Sequence, residues 1–178
     1  MWNFIEAQVA KWFDHNSLTE AKKWYYKFLL NILLPALGFE MAKQGRFKLE
    51  REELYAIFEK YWMRFSREDF FLAFPGYEKY EDGLPLGECA NDKEKRKRRT
   101  DILHTITESL SMMVGEGGSF LFLHRDYRDF FAAVHLSNEA SISVSKGQKP
   151  TGLNEQVMDY PVRRMMEEIA LITGAVES

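Results

Sequence analysis

A mainly α-helical fold with one small β wing is what this sequence predicts, on three observations. Apolar residues recur at helical spacing along most of the chain, as in Leu54, Ile57, Phe58 and Tyr61 at i, i+3, i+4 and i+7. A strand-like pattern is confined to residues 119 to 123, directly after Gly115, Gly117 and Gly118. Composition supplies the core: 46% of the 178 residues are hydrophobic, among them 14 Phe, 8 Tyr and 4 Trp. That content exceeds what a disordered chain carries, and the length suits one or two small domains.

Taken in order, Phe4, Ile5, Val9, Trp12 and Phe13 form a helical stripe that begins almost at Met1. Ser17 and Glu20 read as an S-x-x-E capping box for a helix through Trp24, Phe28 and Leu33, which Pro35 ends or kinks before a second piece to about Lys43. Residues 50 to 63 read as an amphipathic helix with acidic residues in its first turn. Ser66 caps a shorter helix to about Phe74, and Pro75, Gly76, Gly83, Pro85 and Gly87 then mark a loop. Asn91 with Glu94 opens the next helix, whose buried stripe is Ile102, Ile106, Leu110 and Met113. Phe120 and Phe122 alternate with Leu121 and Leu123 as in a strand buried on both faces. Tyr127, Phe130, Phe131 and Val134 follow as the apolar stripe of another helix. Residues 138 to 152, rich in Ser, Gly and Lys, read as a flexible connection. Pro161 at a first helical position and Val162, Met165, Met166, Ile169 and Ile172 then predict a last helix, stopped at Gly174. Three helices, a Gly-rich turn and a strand come in the order of a winged helix, with turn and strand as the wing.

Function classes narrow quickly. A net charge of −3 gives no general attraction to nucleic acid or to an anionic membrane. The single Cys89 excludes an intrachain disulfide, no signal-peptide pattern opens the chain, and the longest apolar run, Phe28 to Leu37, is too short to span a bilayer. These features predict an intracellular, cytoplasmic chain. There is no G-x-x-x-x-G-K-[ST] loop, no nucleophile in a recognisable motif, and no metal spacing among His15, His104, His124, His135 and Cys89. The expectation is a chain that is no enzyme by itself, without catalytic or metal-binding residues.

His124 sits where the strand meets the aromatic helix. Such a junction presents free backbone N–H groups and the positive end of a helix dipole, the usual place for phosphate, and an imidazole there can donate to a phosphate oxygen. The segment Phe122-x-His124-x-x-Tyr127-x-Asp129-Phe130-Phe131-Ala132-Ala133 resembles the one that closes the winged-helix region of NACHT-type signalling NTPases (STAND NTPases), the group containing the NOD-like receptors. It departs from them at Arg128 and Asp129, where Gln and Glu are commoner, and at Tyr127 in place of Phe. The resemblance implies three parts: residues 1–16 as the end of a preceding helical domain, 17–137 as a winged-helix domain with an insertion near 75–91, and 138–178 as linker and following helix. It also implies that the chain is cut at both ends from a larger innate-immunity or defence ATPase. In that parent His124 senses the β-phosphate of bound ADP and holds the winged helix against the nucleotide-binding domain. Exchange of ADP for ATP, with Mg, releases autoinhibition and permits homo-oligomerisation. No cofactor is expected in this portion itself, and no membrane. The competing reading of His124 is a histidine hydrogen-bonded within its own domain. Phe122, Tyr127, Asp129, Phe130 and Phe131 are expected to serve the motif as packing.

A different function competes at Lys93, Lys95, Arg96, Lys97, Arg98 and Arg99, which crowd the start of the third helix. In DNA-binding winged helices that helix enters the major groove. This alternative makes the chain a transcription regulator that contacts phosphates. Against it, Asp92, Glu94 and Asp101 dilute the patch, and the bland reading is a solvated face. A protein-interaction module is the third alternative.

Overall fold

The computed structural model describes residues 18–148 together with Asn3, Ile5, Ala7, Ala10, Lys11, Phe13 and Asp14. Those seven are helical, with Ile5 buried and Phe13 stacked on Tyr26 at 5.8 Å. The predicted Ser17 cap and the helix expected after Pro161 lie outside the described residues.

Six α-helices and a three-stranded sheet follow. Thr19 caps α1 (Glu20–Phe28), its hydroxyl accepting from the Lys22 N–H at 3.3 Å. The chain then neither stops nor breaks at Pro35. It passes through a π-helical turn, Leu29–Leu33, into α2 (Leu34–Lys43). Proline has no N–H to give, so the Asn31 carbonyl loses its ordinary i+4 donor. A side chain from the far end of the fold replaces it: Asn138 Nδ2 donates to Asn31 O at 2.6 Å.

After β1 (Leu49–Glu50), α3 (Arg51–Trp62) opens with a capping box in which Glu50 and Glu53 exchange side-chain and backbone bonds, and it buries Leu54, Ile57, Phe58 and Tyr61 as the spacing predicts. Ser66 caps α4 (Arg67–Ala73) through the Asp69 N–H at 3.1 Å. The stretch predicted as loop contains a 3₁₀ segment, Tyr77–Gly83, pinned because Tyr77 is buried against Trp24 at 4.9 Å and Phe70 at 5.5 Å. Asn91 caps α5 (Asp92–His104), accepting from the Glu94 N–H at 2.9 Å, and a second π-helical turn, Thr105–Ser109, ends that helix. Ile102, Ile106 and Leu110 are buried as expected, but Met113 reaches the core from a strand, β2 (Met113–Glu116).

Gly117 and Gly118, both at positive φ (59° and 88°), form the two-residue turn to β3 (Ser119–Phe122). Positive φ at both positions matches the strand twist and favours glycine. β3 is central, antiparallel to β1 through Leu49↔Phe120 and to β2 through Met113↔Phe122, in the order β1-β3-β2. It is buried on one face only: Phe120 and Phe122 point into the core, whereas Leu123 just beyond is 50% exposed. The order of helices and hairpin, and the sheet, make a mainly α, winged-helix-like domain with a small β wing.

The final helix, α6 (Arg125–Ser145), extends into the region 138–152 expected to be a flexible connection, keeping it helical as far as Ser145. Polar composition misled there, because Asn138 and Ile142 tie this half of α6 to the core. α6 packs mainly on α2, and the two backbones nearly touch at Gly38. A Cβ there would lie 2.7 Å from the Arg128 carbonyl oxygen and 2.9 Å from the Phe131 Cβ.

Gly38→Ala is therefore expected to destabilise by about 1–3 kcal/mol, as overpacking does, because backbone rather than a mobile side chain must yield. Gly83→Ala, which meets nothing within 4 Å, serves as control and should leave stability near wild type. The urea midpoints of the two variants decide the matter.

Candidate functional site

His124 is the N-cap residue of α6, with extended backbone angles (φ −116°, ψ 135°) set by the end of β3. Its side chain makes no capping bond and is exposed. Its carbonyl accepts from the Tyr127 N–H at 3.0 Å, and the Tyr127 ring stands edge-on to the imidazole at 4.9 Å. The imidazole is therefore braced on one side and free to donate on the other. Asp126, in the same first turn, already complements the helix dipole.

Beside it lies a clasp that sequence reading missed. Arg125 and Arg128 lie over the Phe47 ring at 4.3 and 3.9 Å. Arg128 is buried and bonded to its neighbour Asp129 (Nε to Oδ1 2.8 Å, Nη2 to Oδ1 2.7 Å), and its Nη1 donates to the Arg46 carbonyl at 3.2 Å. Arg46 in turn grips Glu53 at 2.5 and 2.9 Å. This bidentate bond and the Glu50 N–H lower the Glu53 carboxyl to about 2. The segment from α2 to β1 is thus fastened to α6 directly behind His124. Adjacent Arg and Asp in an otherwise apolar stretch, Tyr127 to Ala133, were the available signal, since opposite charges in a buried helix are paired.

The remaining motif residues are core. Phe122 stacks on Phe131 at 5.5 Å, Phe130 meets Phe131 at 5.4 Å, and Tyr127 meets it at 6.3 Å. Asp129 is the exception to apolar packing, holding Arg128.

The basic run divides by helical face. Lys95 and Arg99 both pair with Glu59 of α3, Arg99 at 2.9 Å. Arg98 donates to the Gly87 carbonyl at 2.8 Å and lies over Trp62 at 5.2 Å. These three knit α5 to α3. Lys93, Arg96 and Lys97 are exposed. The neighbouring groove, about 540 Å³ between the start of α1, the 3₁₀ segment and α5, sets Lys22, Lys97 and Arg98 against Asp82, Glu94 and Asp101. Equal numbers of both signs give a polyanion no net pull.

A second polar cluster surrounds His135, which sequence reading set aside as a metal ligand and otherwise left unassigned. It is buried, stacked on Phe39 at 4.6 Å and edge-on to Tyr61 at 5.5 Å. Burial lowers its pKa to about 4, Arg64 and Lys60 adding to the effect while Glu139 and Glu40 oppose it. Burial also opposes ionisation of Glu40, yet hydrogen bonds from Lys60 Nζ at 2.6 Å and Tyr61 Oη at 3.0 Å outweigh it and hold the carboxyl below its usual range. Glu139 behaves alike: burial is outweighed by the bidentate Arg64.

Among the described residues, no helix is long and apolar enough to cross a membrane. Compared with known proteins, the chain matches no family model, no curated protein and no solved structure.

The His135 cluster fixes a pH dependence. A histidine whose folded pKa lies below its unfolded value of about 6.5 contributes full stability above that value and loses it as pH falls toward the folded pKa. His135 should therefore cost about 3 kcal/mol between roughly pH 6.5 and 4. Glu40 and Glu139, depressed in the fold, act in the same direction at lower pH, losing their contribution below about 4.5. Urea unfolding across pH 7.5–4.5 should show stability falling from about pH 6.5 downward. In His135→Gln the part of the slope above pH 4.5 should flatten.

Proposed function

We propose that this chain is the regulatory winged-helix portion of a NACHT-type signalling ATPase, reading the nucleotide state through His124. The observation that carries the reading is the His124 imidazole, exposed at the first turn of α6 without a capping bond and braced, among the described residues, by Tyr127. It stands within a motif resembling that of the family. A histidine serving only its own domain would be expected to cap α6 or pair within the fold.

In this reading the β-phosphate of ADP, held by the nucleotide-binding domain of the same parent chain, accepts a hydrogen bond from His124. The imidazole donates as either the neutral or the charged form, and a phosphate favours the latter. The Arg128–Asp129 pair and Phe47 behind it keep α6 and the adjoining segment moving as one body. Loss of the β-phosphate contact on exchange for ATP frees the domain to swing and the parent to oligomerise in the cytoplasm. Mg belongs to the nucleotide-binding domain, and no residue of this portion is assigned to hold it.

His124→Ala is expected to leave the thermal stability of the 178-residue chain within about 0.5 kcal/mol, because the exposed imidazole makes no capping bond whose loss would weaken α6. In the full natural gene product the same change should sharply lower the ADP recovered on denaturation and raise basal activity. Undiminished ADP occupancy would sink the reading.

One observation favours the second reading, a DNA-binding winged helix: Lys93, Arg96 and Lys97 remain exposed on the third-helix position, α5. Only three cations of the run remain for phosphates, beside three groove carboxylates, and this counts against it. Charge reversal of Arg96 and Lys97 tests it cleanly, whereas Arg98 is unsuitable because its loss opens the Gly87 contact. The nucleotide reading expects no effect on ADP. The DNA reading expects duplex binding by the unaltered chain that is steeply salt-dependent and lost in the variant.

A further inference from the structure

The two halves of α6 are held in different ways. Every residue from Tyr127 to Ala133 is buried, and this half carries the Gly38 crossing and the Arg128–Asp129 pair. Among the described residues beyond Ala133, only His135 and Ile142 are buried. The rest of the hold there is polar. Asn138 Nδ2 donates to the Asn31 carbonyl at 2.6 Å, and Glu139 accepts from both Nη atoms of Arg64, its Oε2 at 2.6 Å. The His135 ring fills a slot between Phe39 of α2 and Tyr61 of α3. A segment with so few buried apolar contacts opens before the rest of a fold does.

The slot suits a neutral ring. Charged groups face it from all three helices: Glu40 of α2, Lys60 and Arg64 of α3, and Glu139 of α6. Each carboxylate already has its cation, Glu40 with Lys60 and Glu139 with Arg64, and Lys43 and Lys146 add positive charge beside them. A protonated His135 therefore brings a charge for which no carboxylate is left over. The nearest oxygen, Glu139 Oε1, stands 3.5 Å from Nε2 and is taken by Arg64, and the ring makes no hydrogen bond among the described residues. An imidazolium buried on these terms is strongly unfavourable. Relief lies close by, because the ring belongs to the loosely held half. Lifting that half puts the imidazole in water, where it ionises near its ordinary pKa of about 6.5.

We propose that His135 is an acid-sensitive latch: its protonation releases residues 135–145 from α2 and α3 while Tyr127 to Ala133 stay packed. Burial depresses the His135 pKa to about 4, so the closed form excludes the proton and the open form takes it. Opening is then least favoured above about pH 6.5 and gains as pH falls below that value. Glu40 and Glu139 are held below their usual carboxylate range and keep their charge through mild acid, so within the cluster His135 alone titrates there. Release bares Ile32, Phe65 and Phe74, which with Ile142 line the small cavity beneath this half of the helix. Acid thus uncovers an apolar surface without unfolding the domain. The inference does not depend on the nucleotide reading.

The test is amide exchange of the full chain in low concentrations of urea, which separates a local opening from unfolding. At pH 7.5 exchange of 136–145 should be nearly independent of urea, whereas that of 127–133 should rise with it, because only global unfolding exposes the latter. At pH 5.5 exchange of 136–145, corrected for the intrinsic rate, should quicken about tenfold, the linkage expected of a group that titrates near 6.5 open and near 4 closed. His135→Phe keeps a ring in the slot but carries no proton, and it should abolish that acceleration. Exchange of 136–145 that climbs with urea in parallel with 127–133 overturns the proposal, and this arm needs no variant. Absence of the acceleration in the unaltered chain overturns it too, as does the same acceleration in His135→Phe.

Discussion

Everything in this fold is referred to the close approach of α2 and α6 at Gly38. With the Cβ position there only 2.7 Å from the Arg128 carbonyl, the two helices sit nearer than any larger residue permits. That proximity places Asn138 against the carbonyl that Pro35 leaves unsatisfied. It also seats Phe39 on His135 and presents Arg128 to the segment leading into β1. A buried carbonyl without a donor costs on the order of 1–3 kcal/mol, so proline and asparagine, far apart in sequence, form one structural unit.

The same crossing determines how the charged groups are used. Buried charges are tolerated only when paired, and each buried ionic group on this face has its partner: Arg128 with Asp129, Glu40 with Lys60 and Tyr61. His135 is held neutral by burial. His124, one turn before the clasp, has no such obligation, since its backbone belongs to a strand end and its ring lies outside the packed region. His124 thus stands as an exposed imidazole at the edge of a rigid frame.

The basic run illustrates how one sequence feature splits between duties. Six basic residues that read as a single patch lie on a helix, so their side chains spread around its circumference. Lys95, Arg98 and Arg99 face α3 and neutralise Glu59 or cap the Gly87 carbonyl. What remains outward is a weaker and interrupted positive face. Composition counts charges; the helix decides which of them solvent or a partner can meet.

Much of the local structure was legible because it depends on neighbouring residues alone. The α3 stripe, the Ser66 and Asn91 caps, the Gly117–Gly118 turn and the aromatic face of α6 follow from periodicity, capping chemistry and backbone freedom within a few residues. The exposed junction histidine was legible for the same reason. Where distant residues decide, sequence reading went astray. The second helical piece to Lys43 forms as expected after Pro35, but that a π-helical turn and Asn138 absorb the proline was not legible, and residues 138 to 145 stay helical because Asn138 and Ile142 find partners in the core. Likewise β3 is covered on one face alone, Met113 enters the core from a strand, and Asp129 holds Arg128 rather than merely filling space. The sequence by itself determined most of the helices, the caps at Ser66 and Asn91 and which side of those helices is apolar. Only the tertiary structure decided which polar groups are spent in holding those helices together, because that depends on contacts across the Gly38 crossing that no local window contains.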